Sequence, residues 1–256
     1  MKYKWTVGIF STVLVFCFSL LVFSWQDTPS IGGLPLSGKV ILIDPGHGGP
    51  DGGAVNRDAT IIEKDIALQM SFKIRDYLQE AGALVLMTRH EDKDLAEDVR
   101  GYSKRKTADL KKRLSIIHQS EADLLLSVHM NAIPSAKWNG AQTFYFPLQE
   151  NERLAIAIQE EIRDQLQNTQ RLAKPINHVF LLKHAEMPSA LLEAGFLSNP
   201  AEAQLLSQDS YQEKMAAAIY RGILRFFYEG ETPNPESSNA QGRIEPSVYD
   251  ILETEA

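Results

Sequence analysis

Residues 39–53 read KVILIDPGHGGPDGG. Lys39–Asp44 is a short apolar run ending in a turn, the pattern of a buried strand. The glycine-dense loop behind it carries His47 close to where the strand stops. Similar runs recur along the chain. Ala83–Thr88 (ALVLMT) predicts a second buried strand, Asp123–His129 (DLLLSVH) a third and Gly140–Phe146 (GAQTFYF) a fourth. Val179–Leu182 and Ala190–Glu193 read as further strands. Between them lie helical patterns. Glu63–Glu80 places Ile66, Met70, Ile74, Tyr77 and Leu78 on one face, and Gly82 ends it. Lys104–Gln119 is basic and amphipathic, with Leu110, Leu114 and Ile117 inward. Glu150–Gln167 is a third helix, and Pro200–Phe227 holds one or two more. Glu91–Tyr102 is charged and reads as a loop with a helical turn. Strands alternating with helices at these lengths predict an α/β domain whose sheet is covered on both faces.

In such sheets the chemistry gathers just past the carboxyl ends of strands. His47 follows the first strand, His129 ends the third and Glu193 ends a late one. Glu63 opens the first helix. Two histidines and one carboxylate leave a tetrahedral zinc ion with an open position, which is the catalytic arrangement. Zinc lowers the pKa of a bound water, and a fourth group can move its proton to a leaving nitrogen. The set holds one carboxylate more than the metal needs. Each residue also has a plainer role. A strand-end histidine is commonly just hydrogen-bonded, and Glu63 suits a helix N-terminus. Glu193 lies in an apolar stretch, where an unpaired charge is costly, so it needs a cation, a donor or a function. Asn131 is a candidate for orienting substrate. Arg113 and Arg89 are candidates for pairing with carboxylates of the substrate or of the protein. His178 and His184 flank an apolar run and are weaker candidates for the cleft, and His118 belongs to the wet edge of its helix.

Other chemistries are excluded. GHGGPDGGA lacks the GK[ST] ending of a phosphate loop, and Asp51 breaks the dinucleotide fingerprint. The glycines instead let the backbone pass close to a metal and substrate. HExxH fails at Asp94, and no GxSxG occurs. The single cysteine, Cys17, rules out an internal disulfide and a thiolate site in the body. The net charge of -7 shows no basic face for nucleic acid. Glu231 to Ala256 carries Glu231, Glu236, Glu245, Asp250, Glu253 and Glu255 against Arg243 alone, so the body is close to balanced.

Trp5–Trp25 is an uncharged run behind Lys2 and Lys4. Roughly 20 apolar residues span a bilayer as a helix, and the lysines keep the N-terminus cytoplasmic. Residues 1–26 therefore predict a signal anchor or a cleaved signal peptide, the anchor being favoured because no A-x-A site follows. Residues 27–38 read as a linker, 39–229 as the folded domain and 230–256 as a disordered acidic tail.

These residues resemble the zinc-dependent N-acetylmuramoyl-L-alanine amidases of bacterial cell walls. IDPGHGGPDGGA, the glutamate of IIEKDIAL, MTR, RLSIIHQSEADLLLSVHMNA, GAQTFYF and LLEAGFLSNPAEAQLL follow in order over about Val40 to Phe227. The resemblance implies a twisted mixed sheet of about six strands between helices. It implies zinc on His47, Glu63 and His129, Glu193 as the catalytic carboxylate, and cleavage of the amide between muramic acid and L-alanine in peptidoglycan. The N-terminal run, LPLSGK and SAKWNGAQTFYF are similar to the branch acting on the spore cortex of endospore formers, between forespore and mother cell. There, peptide removal precedes muramic δ-lactam formation, and a separate deacetylase acts afterwards. NRDATIIEKD is slightly longer than the usual stretch before the glutamate. Two rivals stay open: a secreted zinc peptidase acting on wall peptides, and a membrane-tethered wall-binding protein without catalysis.

Overall fold

The computed structural model describes residues 33–231. The apolar run of residues 1–26 and the acidic tail from 232 onward lie outside the described residues. Within them, no helix is long and apolar enough to cross a membrane.

Six strands form one sheet: β1 (Val40–Pro45), β2 (Leu84–Met87), β3 (Leu124–Asn131), β4 (Gln142–Tyr145), β5 (Lys174–Pro175) and β6 (Ser189–Phe196). Their order is β2-β1-β3-β6-β4-β5. β1 pairs in parallel with β2 and β3, and β3 pairs in parallel with β6. β4 then runs antiparallel to β6 and parallel to β5, so the sheet is mixed. The helices are α1 (Glu63–Glu80), α2 (Tyr102–Gln119), α3 (Gln149–Leu166), α4 (Phe180–His184), α5 (Pro200–Leu206) and α6 (Asp209–Glu231).

The central strands are apolar on both sides because side chains alternate across the sheet. Ile41 and Ile43 of β1, Leu124, Leu126 and Val128 of β3, and Leu192 of β6 join the larger core under α1, α3 and α6. Leu42 and Leu125 point the other way, into a smaller core with Ile117 of α2 and Leu181 of α4. The same alternation carries Asp44, Ser127, His129 and Glu193 onto the α2 side near the strand ends. That face is less completely roofed, and the site opens there.

Three expectations change. Val179–Leu182 is not a strand: residues 180–184 form the short helix α4, with Leu181 and Leu182 buried. A four-residue apolar run cannot distinguish a buried strand from a buried helical turn. β5 was not anticipated, because two exposed residues including Pro175 carry no strand pattern and suit only a sheet edge. Part of the expected linker is packed. Leu36 is fully buried in the larger core, and its N–H donates to Ala81 O at 2.8 Å under the end of α1. The extended stretch before Glu63 folds on itself: Asn56 Oδ1 accepts from Thr60 N and Ile61 N, both at 2.9 Å, and Val55 bridges Ile62.

Leu36 offers a direct check on where the domain starts. Leu36→Ala should lower the unfolding free energy by about 2–5 kcal/mol in urea titration, as for other buried leucines. An unchanged midpoint would return this segment to the linker.

Candidate active site

Three side chains from three elements meet at the carboxyl end of the sheet. His47 Nε2 lies 3.2 Å from Glu63 Oε1, and His129 Nδ1 lies 2.9 Å from the same oxygen. One ligand atom from each residue falls within a common 4.8 Å. Ligands about 2.0–2.1 Å from a tetrahedral zinc stand about 3.3 Å apart, so the spacing and the donor set both fit that ion.

Each member is positioned by backbone. Glu63 is the first residue of α1, and its carboxylate turns back from the helix. Oε2 accepts from Ala54 N at 2.6 Å, and Oε1 accepts from Met130 N at 3.0 Å. His129 lies on β3, with the β3–β6 register shifting just beyond it. Such irregularities re-aim side chains at strand ends. His47 sits at φ 60, a left-handed conformation that costs a non-glycine residue energy. Gly53 makes the crowding possible. It has φ +72, and a Cβ there would stand 2.4 Å from Glu63 Oε2 and 2.6 Å from His47 Cδ2.

Two buried arginines hold the His47 loop. Arg89 donates to Pro45 O at 3.0 Å and to Gly46 O and Lys64 O at 2.8 Å. Arg113 donates to Pro45 O at 2.8 Å and also to His47 O. The charge of Arg113 is met by Asp44 at 2.7 Å and Asp109 at 2.8 Å. Asp44 also accepts from Thr88 at 2.6 Å and Ser127 at 2.8 Å. Burial alone would raise the Asp44 carboxyl. The Arg113 charge and the Thr88 hydrogen bond outweigh it and hold the group at about 2. Burial, with Arg113 nearby, brings Arg89 down to about 10. Of the two kinds of carboxylate open to Arg113, the protein supplies Asp44 and Asp109. The Arg113 guanidinium is bonded to protein acceptors and 2 % of the residue is exposed, so within the cavity wall it holds the His47 loop.

Glu193 neighbours His129 in the β3–β6 register. Its Oε2 is buried without a hydrogen-bond partner. Burial pushes the carboxyl up to about 7; His129 and His47 pull it down, while Glu63 adds to the rise. Asp51, which the sequence reading noticed only as a break in a nucleotide motif, sits 3.0 Å from His47 Nδ1 and 3.0 Å from Lys106 Nζ. The approach to Nδ1 misses hydrogen-bond geometry, so it acts as a charge contact. Burial opposes protonation of His47, but Asp51 and Glu63 raise it to about 9 in the metal-free cluster.

The cluster opens into a cavity of about 560 Å³ walled by Leu110, Val179, Phe180, Leu181 and Leu191 on one side and by Asp51 and Lys106 near His47. His178 lines it. His184 does not: its carbonyl accepts from His118, tying α4 to α2. Asn131 is half-buried at the end of β3, with its carbonyl bonded to Leu197 N, and does not line the cavity. Glu202 was also missed. Asn199 caps α5 and Pro200 follows at N1, an arrangement that usually turns the N3 acid back toward the cap. Here Glu202 instead accepts from Phe196 N at 2.8 Å and Gly140 N at 2.7 Å, fastening the end of β6.

Comparison with known proteins agrees with this geometry. The family described as N-acetylmuramoyl-L-alanine amidase matches residues 41–225. The chain is 50% identical over 234 residues to the germination-specific N-acetylmuramoyl-L-alanine amidase of Bacillus subtilis (strain 168), covering 91% of this chain and 98% of that protein. It is similar in structure to the CwlD amidase of Clostridioides difficile, solved in complex with the GerS lipoprotein. The TM-score is 0.73 at 40% identity, over 75% of this chain and 99% of the other. The catalytic domain of CwlV, an N-acetylmuramoyl-L-alanine amidase of Bacillus (Paenibacillus) polymyxa, matches at TM-score 0.64 and 27% identity, over 74% and 98%.

Two substitutions test the scaffold. Asp44→Ala leaves Arg113 short of a buried partner and should cost about 3–5 kcal/mol by chemical denaturation. Gly53→Ala should keep native circular dichroism but weaken zinc binding about 10–100-fold in a chelator competition, because the added methyl displaces Glu63 and His47. Native zinc affinity in Gly53→Ala would show that the close approach is unimportant.

Proposed function

As a member of the N-acetylmuramoyl-L-alanine amidase family, this chain hydrolyses the amide between N-acetylmuramic acid and L-alanine in peptidoglycan, and we propose that it does so with zinc held by His47, Glu63 and His129 and with Glu193 carrying the proton. The observation that carries the reading is the convergence of two imidazoles on one carboxylate oxygen, beside a buried glutamate without a partner.

When bound, the zinc supplies Lewis acidity to the scissile carbonyl and makes water a stronger acid. The protein does the rest. The Ala54 and Met130 amides hold Glu63 in its ligating orientation before any ion arrives. Asp51 beside Nδ1 of His47 stabilises the ring in the pose that presents Nε2. Glu193 takes the proton from the attacking water and passes it to the alanine nitrogen as the C–N bond breaks. The products are a lactyl carboxylate on the sugar and a free L-alanine amino terminus. A carboxyl raised toward neutrality by burial accepts and returns a proton near working pH. The apolar wall of Val179, Leu181 and Leu191 suits the methyl groups of the lactyl and alanyl units.

The spore assignment draws on the Bacillus subtilis relative, whose name states a role in germination. On this reading the chain acts outside the cytoplasm on spore cortex, directed there by residues 1–26 as a signal anchor or signal peptide ahead of a catalytic body that begins with the packed Leu36 segment. A muramic acid deacetylase then works on the stripped sugar to allow lactam closure. The complex of the Clostridioides difficile relative with a lipoprotein supports a protein partner for this chain too, separate from that deacetylase.

Glu193→Ala should retain zinc by elemental analysis and lose at least about 100-fold in kcat, the usual scale for general acid–base groups. His47→Ala should lose the zinc itself. Digestion of purified peptidoglycan should release new L-alanine amino termini; cleavage confined to bonds within the stem would replace the amidase by a peptidase. Near-normal turnover in Glu193→Ala would remove that residue from the mechanism.

A further inference from the structure

A second depression, also of about 560 Å³, lies apart from the zinc-type cluster and is lined by Lys137, Trp138, Asn139, Gln167, Asn168 and Arg171, among others. Its lining includes no carboxylate and no histidine. It opens at the same end of the sheet as the cluster. Gln142 on β4 pairs in register with Glu193 on β6, and its amide Nε2 donates to Leu172 O, next to Arg171. Adjacent strands are about 4.8 Å apart, so this depression begins roughly 10 Å along the sheet end from Glu193.

The depression is held by internal bonds. Arg171 donates to Asn139 O and, at 3.0 Å, to Gly140 O. Its guanidinium lies 5.7 Å over the Trp138 ring and 5.1 Å over Phe196. Glu202, itself buried, clamps Gly140 N and Phe196 N. The loop backbone is therefore fastened to the end of β6. Yet Trp138 is 52 % exposed. Beside it, Asn168 donates through Nδ2 to Tyr211 at 2.7 Å while its Oδ1 is left without a partner. A large aromatic kept in solvent on a pinned loop, among amides and cations, is the composition of a recognition surface.

We propose that this depression is a glycan subsite: it binds an N-acetylhexosamine unit of the strand whose neighbouring muramic residue is being stripped. The inference rests on the peptidoglycan reading above. The apolar C–H face of a pyranose ring packs on Trp138. The side-chain amides of Asn139, Gln167 and Gln170 pair with hydroxyl and acetamido groups, which need both donors and acceptors. Lys137 and the lack of acids tolerate the carboxylates of adjoining stems. The offset from Glu193 is of the order of a sugar unit or two along a strand that lies across the sheet end. This gives the enzyme a hold on polymer while the scissile amide enters the first cavity.

The test uses full-length protein and two readouts. The binding probe is peptide-free oligosaccharide of alternating N-acetylglucosamine and N-acetylmuramic acid. Trp138→Ala should weaken its binding about tenfold and Trp138→Phe by no more than about twofold, the scale of one packed aromatic contact. In turnover, Trp138→Ala should lose about tenfold in kcat/KM on polymeric peptidoglycan, through KM, and nothing on a single muramyl-peptide. The proposal is overturned if wild type does not bind the peptide-free glycan, if Trp138→Ala binds it equally well, or if turnover of both substrates falls together. Displacement of the glycan by free stem peptide alone would likewise overturn it, in favour of a peptide site. Trp138-dependent glycan binding without release of L-alanine termini from either substrate would uphold the subsite and sink the amidase reading instead.

Discussion

The buried pair of Asp44 and Arg113 is the constraint on which the site depends. Asp44 lies next to the end of the first strand, and its carboxylate collects Arg113 from α2, Thr88 beyond β2 and Ser127 from β3. Two charges out of water are tolerable only when their remaining hydrogen-bonding capacity is also met. Here it is met by Asp109 and by carbonyls of the His47 loop. The stabilisation of the pair is thereby tied to one backbone path, the path that aims His47 at Glu63. Arg89 secures the same path from the other side through Pro45 and Gly46.

The catalytic arrangement follows from strand order. β3 and β6 are neighbours although the register partners His129 and Glu193 lie far apart in the chain. Parallel pairing brings both carboxyl ends to one edge, so His129 and Glu193 stand side by side without any local motif joining them. The antiparallel β4 then starts at this edge and brings the Trp138 loop to it. One edge therefore hosts both the cluster and the aromatic depression. Glu202 links them, since its carboxylate bonds the end of β6 and the start of the β4 segment together.

Much of this was legible in the residues. β1, β2, β3 and α1 follow from apolar runs and helical periodicity, because their partners are apolar on all sides and leave a strong pattern. His47, Glu63, His129 and Glu193 were singled out by their places at strand ends and a helix start, and three of them converge on one oxygen-centred cluster with the fourth beside it. The misses have physical causes. α4 is too short for periodicity to separate helix from strand. β5 is an edge pair carrying a proline. Leu36 sits in a stretch rich in proline and glycine, yet one leucine suffices to pin it when a cavity under α1 accepts it. The Asp109 partner of Arg113 is local, four residues back on α2, but Asp44 and the carbonyls of Pro45 and His47 are far away in sequence and carry no local signal.

By itself the sequence determined the fold class, the two-sided burial of the sheet and four candidate residues that meet at one sheet end, since those rest on local periodicity and on where polar groups interrupt apolar runs. Tertiary structure alone decided that Arg113 and Arg89 are bound to backbone carbonyls, and that Glu202 fastens the sheet end. Those outcomes depend on which distant backbone groups a long side chain meets. Burial forces every such polar atom to find a partner, but only the packed arrangement says which partner lies within reach.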